Sequence, residues 1–271
     1  MRDLSDLKPP CAYQGGKQRL ASLIADAIEL NDRPFVDLCC GLGSVSLEFR
    51  KRGVSPHRIT MVDKSPWGLF WQSIGNGTFD INEFAFHLRQ IPTRLECVEP
   101  YIRDLSMQVV DESISVYVFL ILQASSFGSK AIWIENGRWM NCSFRKYWQP
   151  TPTSRRRSPV NPMMPMPATL YSRTARIAEA MYGCQGFCAD VREFQIPPGS
   201  VTYIDPPYQN TTAYGYTLDI VSFARSFPSK LYVSEAVPLS QNAIMLSGER
   251  QKGGISGVRR SAIQEWLSIF N

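Results

Sequence analysis

Histidine is nearly missing from the sequence: His57 and His87 stand alone, and no two cysteines have CxxC spacing. Protein zinc sites draw on such residues at close spacing, so no metal centre is expected. The seven cysteines are odd in number and include the neighbours Cys39 and Cys40, with Cys184 and Cys188 the only pair at helical spacing. That pattern suits reduced thiols, not a disulfide framework. Long hydrophobic runs are lacking too. The longest, VYVFLIL at 116–122, falls far short of the roughly 18–20 residues that span a bilayer, and no membrane helix is expected. The opening MRDLSDLKPP alternates charge with single apolar residues and has no secretory-type hydrophobic stretch, so a cytoplasmic location is expected.

A chain of 271 residues can bury a full core, as one large domain or as one domain with an insertion. Leu20, Leu23, Ile24, Ala27 and Ile28 recur at helical spacing and predict an amphipathic helix over 17–30. PFVDLCCGLGSVSLEFRKRG then reads as strand, glycine turn and helix. Further strands are expected at HRITMVDKS (57–65), VTYIDPPY (201–208) and SKLYVSEA (229–236). Strands alternating with helices predict an α/β fold with a mostly parallel sheet and helices on both faces. Ligands of such sheets lie beyond the carboxyl ends of the strands, an edge that would gather Asp37, Asp63, Asp205, Ser234 and Glu235.

The middle of the chain differs in charge. From Lys130 to Arg176 there are nine basic residues (Lys130, Arg138, Arg145, Lys146, Arg155, Arg156, Arg157, Arg173, Arg176) against one acid, Glu135. The segment is thus +8 in a chain of net +5, which leaves −3 for the remainder. Trp133, Trp139, Phe144, Tyr147 and Trp148 interleave with the charges, and a proline-rich stretch follows at 150–167, expected to be an extended or mobile loop. Basic residues mixed with aromatics are the footprint of a nucleic-acid surface; a solvated loop with a local apolar anchor is the alternative.

Five motifs carry the chemistry. Gly41 and Gly43 in FVDLCCGLGSVS sit between strand and helix, where glycine permits a tight turn and close approach of a ligand to backbone N–H groups. Asp63 ends the next strand, where a carboxylate can accept the hydroxyls of a ribose. Asp190 in ADVREF either caps a helix or accepts a hydrogen bond from a nucleobase amine. PPCAYQGGKQRL places Tyr13, Gly15, Gly16 and Lys17 ahead of the first helix, without the spacing of a phosphate loop. In IDPPYQN (204–210), Pro206 and Pro207 force the chain out of the sheet ladder directly after Asp205. The result is either a plain strand end or a stiff corner that aims a carboxylate and the Tyr208 ring.

AYQGGK, FVDLCCGLGS, MVDKS, ADVREF and IDPPY, in this order, resemble the α-ordered, Dam-type S-adenosylmethionine-dependent N6-adenine DNA methyltransferases. The resemblance spans nearly the whole chain and includes residues 127–148, similar to the start of that family's recognition region. It implies a Rossmann-like catalytic domain at 1–94 and 181–271 and a target-recognition region at 95–180. By it, Tyr13 and Lys17 help enclose S-adenosylmethionine, Asp37, Gly41 and Gly43 shape its methionine side, Asp63 takes the ribose and Asp190 the adenine. Asp205, Pro206, Pro207 and Tyr208 would hold an extruded target base, and Lys130, Arg138, Arg145, Lys146 and Arg155–Arg157 would contact double-stranded DNA. Trp133 and Glu135 stand where the family places arginine and asparagine, so a GATC target is not implied. A monomer or weak dimer is expected. N4-cytosine methylation, transfer to RNA and DNA binding without catalysis are the rival readings. The tail GERQKGGISGVRRSAIQEW is either a basic flank of the DNA channel or a surface loop before a last helix.

Overall fold

Asp37 stands next to last in an apolar strand, Asp63 ends one and Asp205 directly follows one, and in the computed structural model, which describes residues 3–208, 216–253 and 259–271, those strands lie side by side. In chain order the elements begin with α1 (Ala21–Ala27), β1 (Phe35–Leu38), α2 (Ser44–Lys51), β2 (Ile59–Asp63), α3 (Pro66–Asn76) and α4 (Ile81–Arg89). Next come α5 (Leu95–Met107), α6 (Ser115–Ser125), the hairpin strands β3 (Trp133–Glu135) and β4 (Arg138–Met140), and α7 (Pro167–Met181). The chain ends with β5 (Gln185–Cys188), β6 (Val201–Ile204), α8 (Ile220–Ser226), β7 (Leu231–Glu235), β8 (Ala243–Gly253) and β9 (Arg259–Phe270).

The sheet has the order β5–β2–β1–β6–β7–β9–β8. The first five strands in that order run parallel, β9 lies antiparallel to β7, and β8 is antiparallel to β9. Successive side chains of β1 go to opposite faces: Phe35 joins a core with α1, α2, α3, α6 and α7, whereas Val36 and Leu38 join a second core with Ile220 and Ala224 of α8. The protein is therefore α/β, with a mostly parallel sheet covered on both faces, unevenly. Chain order reverses between β1 and β6, and the crevice at their carboxyl ends is where a ligand site is physically favoured.

Helix α3 lies unusually close to β2 and β5. A Cβ added to Gly68, Gly75 or Gly186 would stand 2.2 Å, 2.0 Å and 2.2 Å, respectively, from backbone atoms of the facing element. That approach drives Trp67, Phe70 and Trp71 fully into the core. The VYVFLIL run becomes α6, buried along nearly its whole length; among the described residues no helix is long and apolar enough to cross a membrane. Residues 95–180 have no core of their own. Val98, Ile102, Phe119, Leu122 and Ile177 share one hydrophobic cluster with Phe35 and Trp67, and Trp139 of β4, Phe144 and Met163 anchor the hairpin and the stretch from 141 to 166 to the same cluster.

Two elements differ from the sequence reading. Helix α1 is shorter than the expected 17–30: Lys17–Leu20 form a turn, closed by Leu20 N–H donating to Lys17 O at 2.8 Å, and Leu23 is 45% exposed. The chain ends in a strand, not in a helix. Leu267 and Ser268 of β9 are wholly buried in an antiparallel pairing with β7, and residues 254–258 of the tail lie outside the described residues. The proline-rich loop 150–167 is closed at its neck, where Trp148 and Val160 exchange backbone hydrogen bonds of 3.4 and 2.9 Å.

Candidate functional site

A cavity of about 390 Å³ opens at the carboxyl ends of β1, β2 and β6. Tyr13, Lys17, Asp37, Gly41, Asp63, Asp190 and the corner Asp205–Tyr208 all line it. Gly43 lies behind the wall. Its φ of +65° caps α2, and a Cβ there would stand 2.3 Å from Met61 Cε and 2.6 Å from the Trp71 ring, so packing alone requires glycine. Gly41 turns the chain at the cavity's edge. Its N–H donates to Asp63 Oδ2 at 2.8 Å, its carbonyl accepts from Trp71 Nε1 at 2.8 Å, and the Tyr13 ring lies 3.3 Å from where its Cβ would be.

Burial governs the acids of the floor. Asp37 is 2% exposed, accepts a hydrogen bond from Ser46 Oγ at 2.6 Å, and is pushed up to about 8, chiefly by burial and further by Asp205 and Asp63. Asp63 also titrates above its ordinary value through burial, although Ser65 N, Ser65 Oγ and Gly41 N all donate to it. Burial and the neighbouring carboxylates raise the Cys39 and Cys40 thiols, which rules them out as thiolate nucleophiles near neutral pH.

The DPPY corner is held by residues from two other elements. Lys17, expected at the cofactor, places its Nζ 2.6 Å from Asp205 Oδ1 and 3.4 Å from Glu265 Oε1. The same ammonium stands 4.8 Å above the centre of the Tyr208 ring, and the Tyr208 hydroxyl donates to Glu265 Oε1. Burial raises Asp205 to about 6, against the pull of Lys17 and with help from Glu265 and Glu235. For Lys17 burial works downward, but the two carboxylates outweigh it and its titration moves up. Burial, Asp205 and Glu265 likewise raise the Tyr208 hydroxyl, so it acts as a hydrogen-bond donor.

Asp190 does not cap a helix. Its Oδ1 accepts from Arg192 N at 3.0 Å, fixing the turn after β5, and its Oδ2 accepts from Lys64 Nζ at 2.9 Å. Arg192, and then Lys64, hold its titration far below the usual carboxylate range. Lys64 in turn stands 5.1 Å from the centre of the Tyr216 ring, on the same cavity wall.

The basic middle meets the cavity through Trp133 of β3. Gln123 of α6 fixes the chain just before it, donating to Lys130 O at 2.9 Å and accepting from Ile132 N at 3.2 Å. Asn136 and Gly137, both at positive φ, close the β3–β4 hairpin. Lys130, Arg138, Lys146 and Arg155–Arg157 are exposed, whereas Arg145 is half-buried and its titration is lowered by burial and by the charge of Arg156. Arg176 is spent elsewhere, tying the N-terminal segment through Asp6.

Sequence reasoning missed Glu265, Trp133, Lys64, Arg192 and Tyr216 as parts of this site. Lys64 and Arg192 sit inside the quoted motifs MVDKS and ADVREF and Trp133 in the 127–148 segment, but none had a role assigned there; Glu265 and Tyr216 lie outside every motif and are brought in by the topology. Among the described residues no group of three or more His, Cys, Asp or Glu is arranged to hold a metal ion. Compared with known protein families and with curated proteins, the chain gives no match to either.

Proposed function

We propose that this protein transfers the methyl group of S-adenosylmethionine to the N6 amine of an adenine in double-stranded DNA. One observation carries the reading: a single cavity at the β1–β6 switch point receives the DPPY corner together with Asp37, Gly41 and Asp63.

The donor set suits a cationic nucleoside. Four carboxylates (Asp37, Asp63, Asp190, Asp205) and three cations (Lys17, Lys64, Arg192) line the cavity, and each cation already sits on a carboxylate. A polyphosphate would bring charge of the wrong sign to Asp190 and Asp205, whereas a sulfonium brings charge that they accommodate; Asp37, raised to about 8 by burial, lies neutral beneath the ligand and serves as a hydrogen-bonding group. Asp63 uses three of its roughly four acceptor positions on Ser65 and Gly41, which leaves capacity for a ribose hydroxyl. Antiparallel β9 interrupts the second half of the sheet, where a dinucleotide fold would place its second nucleotide-binding unit. Tyr13, Gly41 and Asp63 would therefore hold S-adenosylmethionine, which supplies a methyl group already activated on sulfur.

The protein's own work is positioning. An exocyclic amine is a poor nucleophile because its lone pair is delocalised into the ring, and a base in a duplex must first be extruded. Asp205 and the Pro206 carbonyl accept the two N6 hydrogens, which turns the lone pair out of the ring plane. The charge of Asp205 then offsets the positive charge growing on nitrogen as the N–C bond forms and the S–C bond breaks; S-adenosylhomocysteine leaves, and the methylated nitrogen gives up one of its two protons to Asp205 or to solvent. Tyr208 is the platform for the base, on the ring face away from Lys17. Because protonated Asp205 loses the charge that offsets the positive nitrogen and presents an O–H in place of one acceptor, kcat/KM is expected to fall about tenfold per pH unit below about 6, as a pH–rate profile would reveal.

Exposed arginines of the loop supply phosphate contacts. Replacing Arg155, Arg156 and Arg157 together by alanine is expected to weaken DNA binding at low salt and to flatten the slope of log K against log salt by about 0.9 per lost contact. Fluorescence anisotropy across a salt series measures both; an unchanged slope would remove these residues from the interface.

The deciding experiment incubates protein, labelled S-adenosylmethionine and duplex DNA, followed by mass spectrometry of the nucleosides. N6-methyldeoxyadenosine is the expected product. N4-methyldeoxycytidine alone would move the target to cytosine, and label in RNA but not in duplex DNA would reject the DNA assignment. Tight DNA binding with no transfer at all would leave a binding module.

A further inference from the structure

The DPPY corner shares its buried cation with a residue that lies outside every motif. Lys17 is only 7% exposed, and its ammonium lies between Asp205 Oδ1 at 2.6 Å and Glu265 Oε1 at 3.4 Å. As long as Lys17 occupies Asp205, that carboxylate is engaged by a cation where the methyl-transfer reading needs it to accept an amine. A buried ammonium cannot simply be expelled, because an uncompensated charge in the interior costs several kcal/mol. It needs a second carboxylate within reach. Glu265 is that carboxylate; it stands on β9 opposite Ser247 of β8, next to Trp266, which closes the β9–β7 pairing against Glu235.

We infer that Glu265 is a positioning residue: it provides the alternative seat to which Lys17 shifts when a substrate amine engages Asp205, and it fixes Tyr208 by its hydroxyl meanwhile. The inference rests on the methyl-transfer reading and adds a residue to it. Several groups face Asp205 from the surrounding elements: Lys17 ahead of α1, Asp37 on β1, Tyr203 on β6, Tyr208 beyond the corner, Glu235 on β7 and Glu265 on β9. Glu265 touches both Lys17 and Tyr208.

The test uses Glu265→Gln, which keeps the size and an acceptor oxygen for Tyr208 but removes the charge that would receive Lys17. With Lys17 then confined to Asp205, kcat/KM for duplex DNA is expected to drop by about tenfold or more, in the range of one lost charge-assisted contact. The acid limb of the pH profile is expected to move to lower pH, since a like charge near Asp205 is gone and the ammonium is no longer shared. Glu265→Asp, which restores the charge, should return part of the rate and move the limb back up. A lowered rate with an unmoved limb would mark a merely structural role and overturn the inference, as would an unchanged rate. The carboxyl titration of Asp205, followed by carbon NMR in the protein without DNA, keeps the two readings separable. If wild type transfers no methyl group, the functional reading fails. A downward shift of that titration in Glu265→Gln would even then support the shared cation, and an unshifted one would refute it.

Discussion

Asp205→Ala is expected to reduce methyl transfer by on the order of 10³-fold while leaving the fold and S-adenosylmethionine binding nearly intact. The size follows from losing both an acceptor of the target amine and the charge that offsets the developing positive nitrogen. The sparing of the fold follows from the neighbours. Removing one partner of a buried ion pair commonly costs about 3–5 kcal/mol because the other charge is stranded. Here Lys17 keeps Glu265 at 3.4 Å, so the stranding is partial. Asp205 is moreover a strained anion, raised from 3.8 to about 6 mainly by burial, so its ionised form does not stabilise the native state. Labelled-methyl incorporation, a melting curve and calorimetric titration with S-adenosylmethionine on the same preparation would check all three. Normal transfer by the variant would return the DPPY corner to a plain strand terminator. Asp205→Asn serves as the shape-conserving comparison: it keeps one acceptor oxygen and loses the charge, and should fall between wild type and alanine.

The strands that carry this corner were legible because buried parallel strands read as short apolar runs, and a carboxylate at the end of such a run has one place to go. Phe35–Leu38, Ile59–Asp63, Val201–Ile204 and Leu231–Glu235 all have that form. What pattern reading could not see is pairing over long sequence distance. Strand β5 has the weak signal Gln-Gly-Phe-Cys, with three of its four residues exposed, and it exists because Gly186 lets α3 lie directly on it. Glu265 resembles any polar residue on a terminal strand until β9 slots between β7 and β8. The same holds for Lys17. The family resemblance put it at the cofactor, and only the fold brings it to Asp205, 188 residues further along the chain. The hairpin at 133–140 did carry a local sign, the Asn136-Gly137 turn, which points Trp133 back to the cavity at its base.

Asp37→Asn is expected to remove most of the dependence of stability on pH between about 6 and 8, the window in which Asp37 dominates. In the unfolded chain this carboxyl titrates near 3.8, and in the folded protein near 8. Between those values the unfolded state has given up a proton that the native state keeps, so each rise in pH favours unfolding. Stability that is fully present below 3.8 is lost progressively until about 8. The slope halves as pH reaches the folded-state value, so the loss from pH 6 to 8 amounts to roughly 2 kcal/mol. Asp205 acts in the same sense but only up to about 6, so the upper window isolates Asp37. Asparagine fills the same volume and can still accept from Ser46 Oγ, which bonds Asp37 at 2.6 Å in the wild type, without a proton to lose. Denaturant unfolding at pH 6 and pH 8 should therefore show a marked drop for wild type and a nearly level response for the variant. Equal slopes for the two proteins would mean that Asp37 is ionised in the fold at neutral pH. In that case the floor of the cavity is more acidic than its burial allows, and the argument for a neutral, hydrogen-bonding Asp37 beneath the ligand would fail.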